Sequence, residues 1–471
     1  MFILAEATAE AAAAVDPQAG MWALIKIACV FVGMVVLIRR GMAIGYVLVL
    51  AAVAVGFAMG VGFPAEVGGA RWVFTGTWNL LVEIVRSATL IDSLRLLCLV
   101  LTITVFGVVM KHVEKLQALT DSLLALLRDR RWAMASLSSL IGLLPMPGGA
   151  MVSAPMVGDI AKDLDITREE KTAINHWMRH IWEYIDPLYP GLLMASKVFA
   201  VPVTGLMLVQ SPLCVAAIIA GAVFLLRSVP HHQRRVGDEA GRRSLAPVVR
   251  AITPVLVVVA AAIIPLALSM VAKHHPGVVR FLPGGARWTD KHFTRWVTET
   301  FMLGALFAVI AALLMRNRVG RAQSLRLIRQ GLTLKMAALV VGVCVLKGML
   351  DASNTAESIA AFLKSTGLPI PVVIGSIVFV VGMLLGYTLG FVGICYPMLD
   401  AMLRLPGGEL NYPLAAFTFA CGFLGVMLSP VHLCLVLSRE HFDAGWGGVY
   451  RKLLPPTLLV FGVACLMLLW A

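Results

Sequence analysis

The chain has 471 residues, of which 59% are hydrophobic and only 14% are charged. Soluble domains carry about 25% charged residues, so this composition excludes an ordinary soluble fold. The formal net charge of +13 comes from basic residues that are spread between apolar runs. No basic domain interleaved with aromatic residues is present, so nucleic acid is not an expected partner. The expected partner is the lipid bilayer.

The N-terminal residues 1–21 are rich in alanine and acidic, and they lack the basic start of a cleaved signal peptide. We expect a short surface segment there. The eight cysteines all lie in apolar runs and form no CxxC pair. We interpret them as small packing residues, since neither a disulfide framework nor a zinc site is indicated.

Apolar runs follow one another along the chain and predict about ten transmembrane helices, since about 20 residues cross the hydrocarbon core. These runs are 22–38, 42–62, 88–110, 172–196, 203–226, 250–270, 298–315, 336–350, 412–438 and 453–470. Two further stretches, 132–160 and 371–403, are interrupted by Pro and Gly, and we interpret them as re-entrant hairpins. The predicted fold class is an all-α polytopic membrane protein.

The basic residues indicate how the spans are oriented. The segments on one side of the predicted membrane hold 25 Lys and Arg residues, and those on the other side hold 10. The positive-inside rule makes the first side cytoplasmic, which leaves both termini outside the cytoplasm. We expect the chain in the inner (plasma) membrane of a bacterial or archaeal cell.

The two halves of the chain contain the same signals in the same order, which indicates an internal repeat. Pro155 and Pro187 are 32 residues apart in the first half, and Pro397 and Pro430 are 33 apart in the second. The predicted orientation places corresponding spans in opposite directions, a plan that recurs in secondary transporters. We therefore predict two inverted repeats and a basic cytoplasmic linker, with the bounds 22–226 for repeat 1, 227–249 for the linker and 250–471 for repeat 2.

The interruptions predict a binding site near the middle of the membrane. Non-helical backbone at that depth persists only where it is buried in protein or lines a wet cavity. The first hairpin is expected to turn at 145–149 and the second at 388–393, with a half-helix after each turn. These helix N-termini favour an anion, and unwound carbonyls nearby favour a cation. The alternative is that the prolines only kink packed helices.

Polar side chains lie along one predicted face of the span 172–196, at spacings of three and four residues. They are Asn175, His176, Arg179, His180, Glu183 and Asp186. Ionisable groups inside a span usually face a cavity or each other. We predict that Glu183 and Asp186 carry a proton or bind Na⁺ and that Arg179 attracts an anion. The alternative is a solvated cytoplasmic end of the helix.

The spacing of His176 and His180 matches that of two zinc ligands on a helix. However, Trp177 stands where zinc proteases have Glu, and no third ligand is evident in the sequence. We therefore expect no transition-metal site and no cofactor other than the coupling ion, H⁺ or Na⁺. In the second broken span, Ser429 and His432 flank Pro430, and His432 is a candidate second proton carrier or a packing residue.

The segments LLPMPGGAMVSAPM (143–156) and IDPLYPGLLMAS (185–196) resemble the ion-transporter superfamily, which includes gluconate permeases, citrate and dicarboxylate carriers and arsenite-type pumps. Over about 22–470 the chain is most similar to a prokaryotic integral-membrane family of unassigned function in that group. The resemblance implies substrate and cation sites at the hairpin turns and elevator-like movement. It places binding positions at Pro147, Gly148, Gly149, Ser153, Gly390 and Gly393.

One departure from that group concerns the substrate. Dicarboxylate carriers have Ser-Asn-Thr at both hairpin turns, whereas this chain has the triplet once, at 353–355, away from both turns. A dicarboxylate substrate and a copied sodium site are therefore not supported by the resemblance.

Together these patterns predict a secondary active transporter, a symporter of a small anion (an organic acid or an oxyanion) with H⁺ or Na⁺. No G-x-S-x-G, HExxH, Walker A or Rossmann motif is present, so an enzyme is not expected. A membrane scaffold or subunit without transport activity is the alternative, but a scaffold needs no interruptions at mid-membrane. The chain is also compatible with a homodimer.

Overall fold

The computed structural model describes residues 17–63, 70–113, 127, 129–143, 149–162, 164–230, 246–274, 287–288 and 290–470. This part of the chain consists of helices and their connections, without a β-strand. Seven of its helical segments are long and apolar enough to cross a bilayer. The chain is an all-α polytopic membrane protein, as its composition predicts.

The first half contains nine helices in the described residues. They are α1 Pro17–Arg39, α2 Ile44–Met59, α3 Ala70–Thr89, α4 Ile91–Val113, α5 Arg130–Gly142, α6 Ala150–Ile160, α7 Arg168–Arg179, α8 Pro190–Phe199 and α9 Val203–Ala220. Helices α5 and α6 are the two arms of the first predicted hairpin. The predicted span 172–196 consists of α7 and α8, separated by a 3₁₀ turn at Ile181–Tyr184. Helix α9 continues as a π-helical turn, Gly221–Leu226.

The second half contains ten helices in the described residues. They are α10 Ala246–His274, α11 Lys291–Arg316, α12 Arg321–Gly331, α13 Leu334–Ala352, α14 Thr355–Ser365, α15 Ile370–Leu385, α16 Thr388–Leu399, α17 Tyr412–Met427, α18 Leu433–Phe442 and α19 Trp446–Met467. Helices α15 and α16 form the second hairpin, and α17 and α18 are the two parts of the second broken span. Short 3₁₀ turns follow α16 and α19, at Asp400–Leu403 and Leu468–Trp470.

Three helices were not predicted, because their sequences lack a long apolar run. Helices α3 and α12 are amphipathic and each directly precedes a span, α4 or α13. The Asn79 side chain of α3 donates a hydrogen bond to the carbonyl of Gly62 (2.9 Å). The Thr104 hydroxyl of α4 donates to the carbonyl of Gly331, the last residue of α12 (2.6 Å). The third, α14, follows α13. Because α3 precedes the span α4 and α12 precedes the span α13, these two helices occupy corresponding places in the two halves.

Glycines allow the closest helix contacts in the molecule. A Cβ atom on Gly45 of α2 would lie 2.4 Å from the backbone nitrogen of Leu339 in α13. A Cβ atom on Gly382 of α15 would lie 2.1 Å from the carbonyl oxygen of Gly422 in α17. Because lipid tails are as apolar as the side chains, close backbone packing of this kind is a main source of helix association in membranes.

Charged side chains of three helices pair with one another. Asp92 of α4 binds Arg295 of α11, and the Lys197 ammonium of α8 lies 3.7 Å from the same carboxylate. Arg95 lies 3.4 Å from Asp92 and 3.5 Å from Glu299 of α11. Mutual neutralisation lowers the cost of charge at this depth, and the network joins three helices.

Two predicted segments fall mostly outside the described residues. The N-terminal surface segment 1–21 is described only from Pro17, where α1 begins. Of the basic linker 227–249, residues 231–245 lie outside the description.

Candidate functional site

The first interruption lies between α7 and α8. Helix α7 ends at Arg179, and Pro187 and Pro190 prevent the helix from continuing through the following residues. The Trp182 indole donates to the Ser139 hydroxyl of α5 (2.7 Å). The Tyr189 hydroxyl donates to the carbonyl of Gly142, the last residue of α5 (2.6 Å). The break is therefore attached to the first hairpin.

The second interruption lies between α17 and α18, where Ser429-Pro430 ends the first part of the span. The Ser429 hydroxyl donates to the Met383 carbonyl in the last turn of α15 (2.6 Å). Carbonyls in the last turn of a helix have no partner within that helix. In both halves, then, a hydroxyl from the broken span binds such a carbonyl on the first arm of its own hairpin.

The hairpin turns pack directly on the breaks. A Cβ atom on Gly149, at the start of α6, would lie 2.1 Å from the Arg179 guanidinium. Gly386 has a φ of +62°, which favours glycine. A Cβ atom there would lie 2.8 Å from both the Ser429 hydroxyl and the backbone nitrogen of His432. Gly149 and Gly386 thus each pack against a break in a span.

The second hairpin turns earlier than predicted. Its turn is Gly386–Tyr387, and α16 begins at Thr388 rather than after Gly393. The reason is that the left-handed residue is Gly386, whereas Gly390 and Gly393 are buried inside α16. Cβ atoms on these two glycines would meet the side chains of Leu385 and Val343, so both serve helix packing.

A chain of polar contacts connects the two breaks. The Glu183 carboxylate lies 2.5 Å from Nδ1 of His180 and accepts a hydrogen bond from the Thr388 hydroxyl (2.9 Å). Nε2 of His180 lies 3.2 Å from Nε2 of His432. Residues from the first break, the second break and the second hairpin turn therefore meet at one place.

This meeting place borders a cavity of about 150 Å³. A cavity of this size holds several water molecules or a small anion. The polar side chains that line it include Arg179, His180, Glu183, Thr388, His432 and Cys434. The cavity also borders the start of α16, whose first backbone N–H groups have no partner within the helix.

The predicted site residues fall into three groups. Arg179, Glu183 and His432 line the cavity. Gly149 and Ser429 do not line the cavity but contact residues that do, Arg179 and Gly386. Four others lie elsewhere in the buried interior: Ser153, Asp186, Gly390 and Gly393. Pro147 and Gly148 lie outside the described residues.

The polar stripe is buried, which contradicts the alternative of a solvated helix end. All six of its side chains are at most 5% exposed. They do not share one helical face, because α7 ends at Arg179. Asn175, for example, bonds the hydroxyls of Ser138 (3.1 Å) and Ser438 (2.8 Å), on two different helices.

Sequence reasoning singled out neither Thr388 nor Cys434 as a site residue, although Thr388 begins the predicted second turn at 388–393. The Cys434 thiol is a hydrogen-bonding neighbour of His180 and His432, so for this cysteine the prediction of simple apolar packing is wrong. Its position two residues after His432 was the available signal. The pairing of Thr388 with Glu183 has no local signal, because the two residues are 205 positions apart.

Comparison with known proteins identifies a structural relative. The crystal structure of the Alcanivorax borkumensis YdaH transporter, described as having an unusual topology, has a similar fold, with a TM-score of 0.56 and 15% sequence identity. The similarity covers 90% of this chain and 96% of that chain. No curated protein sequence matches.

The sequence itself matches one family. Residues 47–273 and 295–470 match the family described as "Protein of unknown function (DUF401)". This agrees with the predicted likeness to an integral-membrane family of unassigned function. Since the match covers more than half of its length, the chain belongs to the DUF401 family of unknown function.

Proposed function

We propose that this chain is a secondary active transporter of a small anion, an organic acid or an oxyanion. One observation carries the proposal: two interrupted spans and a hairpin turn meet around a cavity that has ionisable side chains in its lining. Interrupted backbone at membrane depth is tolerated where it lines such a cavity, and transporters use it to bind their substrates. The similarity in fold to the YdaH transporter supports the same function.

The preference for an anion rests on the charge around the cavity. The Arg179 guanidinium lines it and is 2% exposed. The N-terminus of α16 borders it and adds partial positive charge. Glu183 also lines the cavity, and its carboxylate is engaged by His180 and Thr388.

The coupling ion in this proposal is H⁺ or Na⁺. Asp186 is a candidate proton carrier because its carboxyl group is buried and pairs with no cation among the described residues. The Leu188 N–H donates to one carboxyl oxygen (2.9 Å), and the other oxygen has no partner in the described part. For Na⁺ the proposed place is near the hairpin turns, where helix ends leave carbonyl oxygens available.

We further propose that residues 22–226 and 250–471 are inverted repeats and that the hairpin-bearing part moves in an elevator-like manner. The order of helices supports a repeat: both halves contain, in the same order, an amphipathic helix, a span, a hairpin, a broken span and a last span. The second half has α14 in addition, between its span and its hairpin. We also propose that the chain is related to the ion-transporter superfamily, the group of gluconate permeases, citrate and dicarboxylate carriers and arsenite-type pumps.

The proposed setting is the inner membrane of a bacterium or archaeon, with both termini outside the cytoplasm. The bilayer and a small anion are the proposed partners, with a homodimer as the assembly. No catalytic activity is part of the proposal.

The direct test has two steps. A thermal-shift screen of organic acids and oxyanions on the purified protein, with and without Na⁺, identifies a ligand. Uptake of that anion into proteoliposomes is then measured with an imposed H⁺ or Na⁺ gradient. We expect uptake to collapse when an ionophore dissipates the driving gradient. Uptake that continues unchanged contradicts coupling, and the absence of any shift and any uptake contradicts the transporter.

A single substitution tests the proton carrier. Asp186→Asn removes the ionisable group but keeps its size, so coupled uptake should be lost while expression is retained. Asp351→Asn is the matched control, because Asp351 is exposed on α13 and should leave uptake unchanged. Wild-type uptake by Asp186→Asn would remove this residue from the mechanism.

A further inference from the structure

Three buried histidines come together where the two broken spans meet. His176 and His180 belong to the end of the first broken span, and His432 to the second. Their ring centroids are 4.8–5.1 Å apart, and one nitrogen of each ring lies within 4.8 Å of the others. No side chain of the three is more than 6% exposed. Among the described residues, this is the arrangement best suited to a metal ion.

Hydrogen bonds orient two of these rings. Nε2 of His176 lies 3.0 Å from the Met427 carbonyl oxygen, which can only accept, so this nitrogen carries the proton and Nδ1 is free. Nδ1 of His180 lies 2.5 Å from the Glu183 carboxylate, so the ligand atom of this ring is Nε2, which faces His432. Histidine ligands of metals are typically held in this way, by a carbonyl or a carboxylate on the opposite nitrogen.

The third ring is free to adopt the matching form. Nδ1 of His432 has no partner among the described residues, so the ring can carry its proton there and offer Nε2. That nitrogen lies 3.2 Å from Nε2 of His180. Two nitrogen ligands at about 2.0–2.1 Å from a tetrahedral ion lie about 3.3 Å apart, so the two rings already have the spacing of one edge of such a site.

We propose that His176, His180 and His432 bind a divalent ion of the late first transition row, of which Zn²⁺ is the representative. Imidazole suits these ions, whereas Mg²⁺ and Ca²⁺ prefer oxygen ligands. Three protein ligands leave a fourth position on a tetrahedral ion. Because His180 and His432 line the cavity, water or a small anion in the cavity can occupy that position.

The sequence predicts the opposite, since no third ligand is evident beside His176 and His180. The third ligand is 252 residues from His180 and belongs to the other half of the chain. Only the contact between the two broken spans brings it within reach.

The experiment is a binding measurement on the purified full-length protein in detergent. The protein is stripped with a chelator, incubated with Zn²⁺, Co²⁺, Mn²⁺ or Mg²⁺, desalted and analysed for bound metal by mass spectrometry. We expect about one Zn²⁺ or Co²⁺ per chain and no retained Mg²⁺. His176→Ala, His180→Ala and His432→Ala should each lose the bound ion. His441→Ala, an exposed histidine on α18, is the matched control and should keep it.

Glu183→Gln tests the positioning of His180 without removing a ligand. Loss of such a partner typically costs about 10–100-fold in metal affinity, and we expect a decrease of that size. Retention of the ion by the triple histidine variant, or no stoichiometric binding by the wild-type protein, overturns the proposal.

X-ray absorption of the Zn²⁺-bound wild-type protein provides a further test. It needs no substituted protein, so misfolding of a variant cannot affect its result. Three imidazole ligands at about 2.0–2.1 Å support the site, and an oxygen-only shell overturns it. None of these measurements uses uptake. A failed metal site therefore leaves the transport proposal standing, and a failed transport assay leaves the metal site standing.

Discussion

At the scale of single residues, the cavity depends on contacts between groups that are far apart in the sequence. The clearest is the hydrogen bond from the Thr388 hydroxyl to the Glu183 carboxylate, both of them buried. It fixes the start of α16 against the first broken span. Glu183 in turn orients His180, so one hydroxyl supports the arrangement of two ionisable side chains.

Replacement of Thr388 by valine should therefore destabilise the protein. The substitution keeps the shape of the side chain but leaves a buried carboxylate oxygen without its donor, which costs about 1–3 kcal/mol. Chemical denaturation in mixed micelles measures the free energy of unfolding. Thr418→Val is the control, because the Thr418 hydroxyl bonds only the Leu414 carbonyl of its own helix (2.7 Å). Equal effects of the two substitutions would contradict this role of Thr388.

Sequence reasoning identified the site residues that are close in sequence to an interruption. Arg179, Glu183 and His432 were recognised because ionisable groups are rare within apolar spans. The partners of these residues were not recognised, since a hydroxyl such as that of Thr388 is common in membrane helices. Only its contact with Glu183 indicates that it belongs to the site. The separation of 205 residues between Thr388 and Glu183 leaves no local pattern to detect.

At the scale of helices, the second hairpin and the second broken span are joined by an interface of small residues. Gly382 of α15 approaches the Gly422 carbonyl of α17, and Gly425 of α17 approaches the Phe379 carbonyl of α15. A Cβ atom on Gly382 or Gly425 would lie 2.1–2.2 Å from those carbonyl oxygens. Because the atoms in contact are backbone atoms of both helices, neither can move aside as a flexible side chain could.

Gly382→Ala should therefore separate α15 from α17 and lower the free energy of unfolding by about 1–3 kcal/mol. Gly462→Ala is the matched control in α19, where a Cβ atom meets nothing within 4 Å. That substitution should be neutral or stabilise by up to about 1 kcal/mol, since alanine favours a helix. Thermal unfolding of both variants in one detergent measures the difference, and a tolerant Gly382→Ala would show that the two helices are free to move apart.

The sequence predicted the hairpins and broken spans well because proline and glycine act locally on the backbone. It predicted α3 and α12 poorly, since an amphipathic helix at a membrane surface needs only one apolar face. The second turn was misplaced for a different reason. Three glycines lie close together, and only the fold shows that Gly386 turns the chain while Gly390 and Gly393 pack against other helices.

At the scale of the whole molecule, the helix contacts agree with the orientation read from the basic residues. Gly45 near the start of α2 contacts Leu339 near the start of α13, and Gly56 near the end of α2 contacts Met349 near the end of α13. These two helices therefore run parallel. The predicted topology likewise has these two spans run in the same direction.

Cysteine accessibility tests this orientation. Arg321→Cys and Gly407→Cys place thiols at exposed positions that the predicted topology assigns to opposite sides. In intact cells, a membrane-impermeant maleimide should label the Gly407→Cys variant, and Arg321→Cys should react only after permeabilisation. The background should lack the exposed cysteines Cys29 and Cys98. Labelling of both variants from the same side would refute the inverted arrangement.

The two bonds from Tyr189 to Gly142 and from Ser429 to Met383 limit how the cavity can open. A hairpin that swung outwards by itself, as a hinged gate, would break its bond and leave a helix-end carbonyl unpaired in a dry interior. A hairpin that travelled with its own broken span would keep the bond intact. We therefore expect each hairpin to move together with its own broken span when the cavity opens.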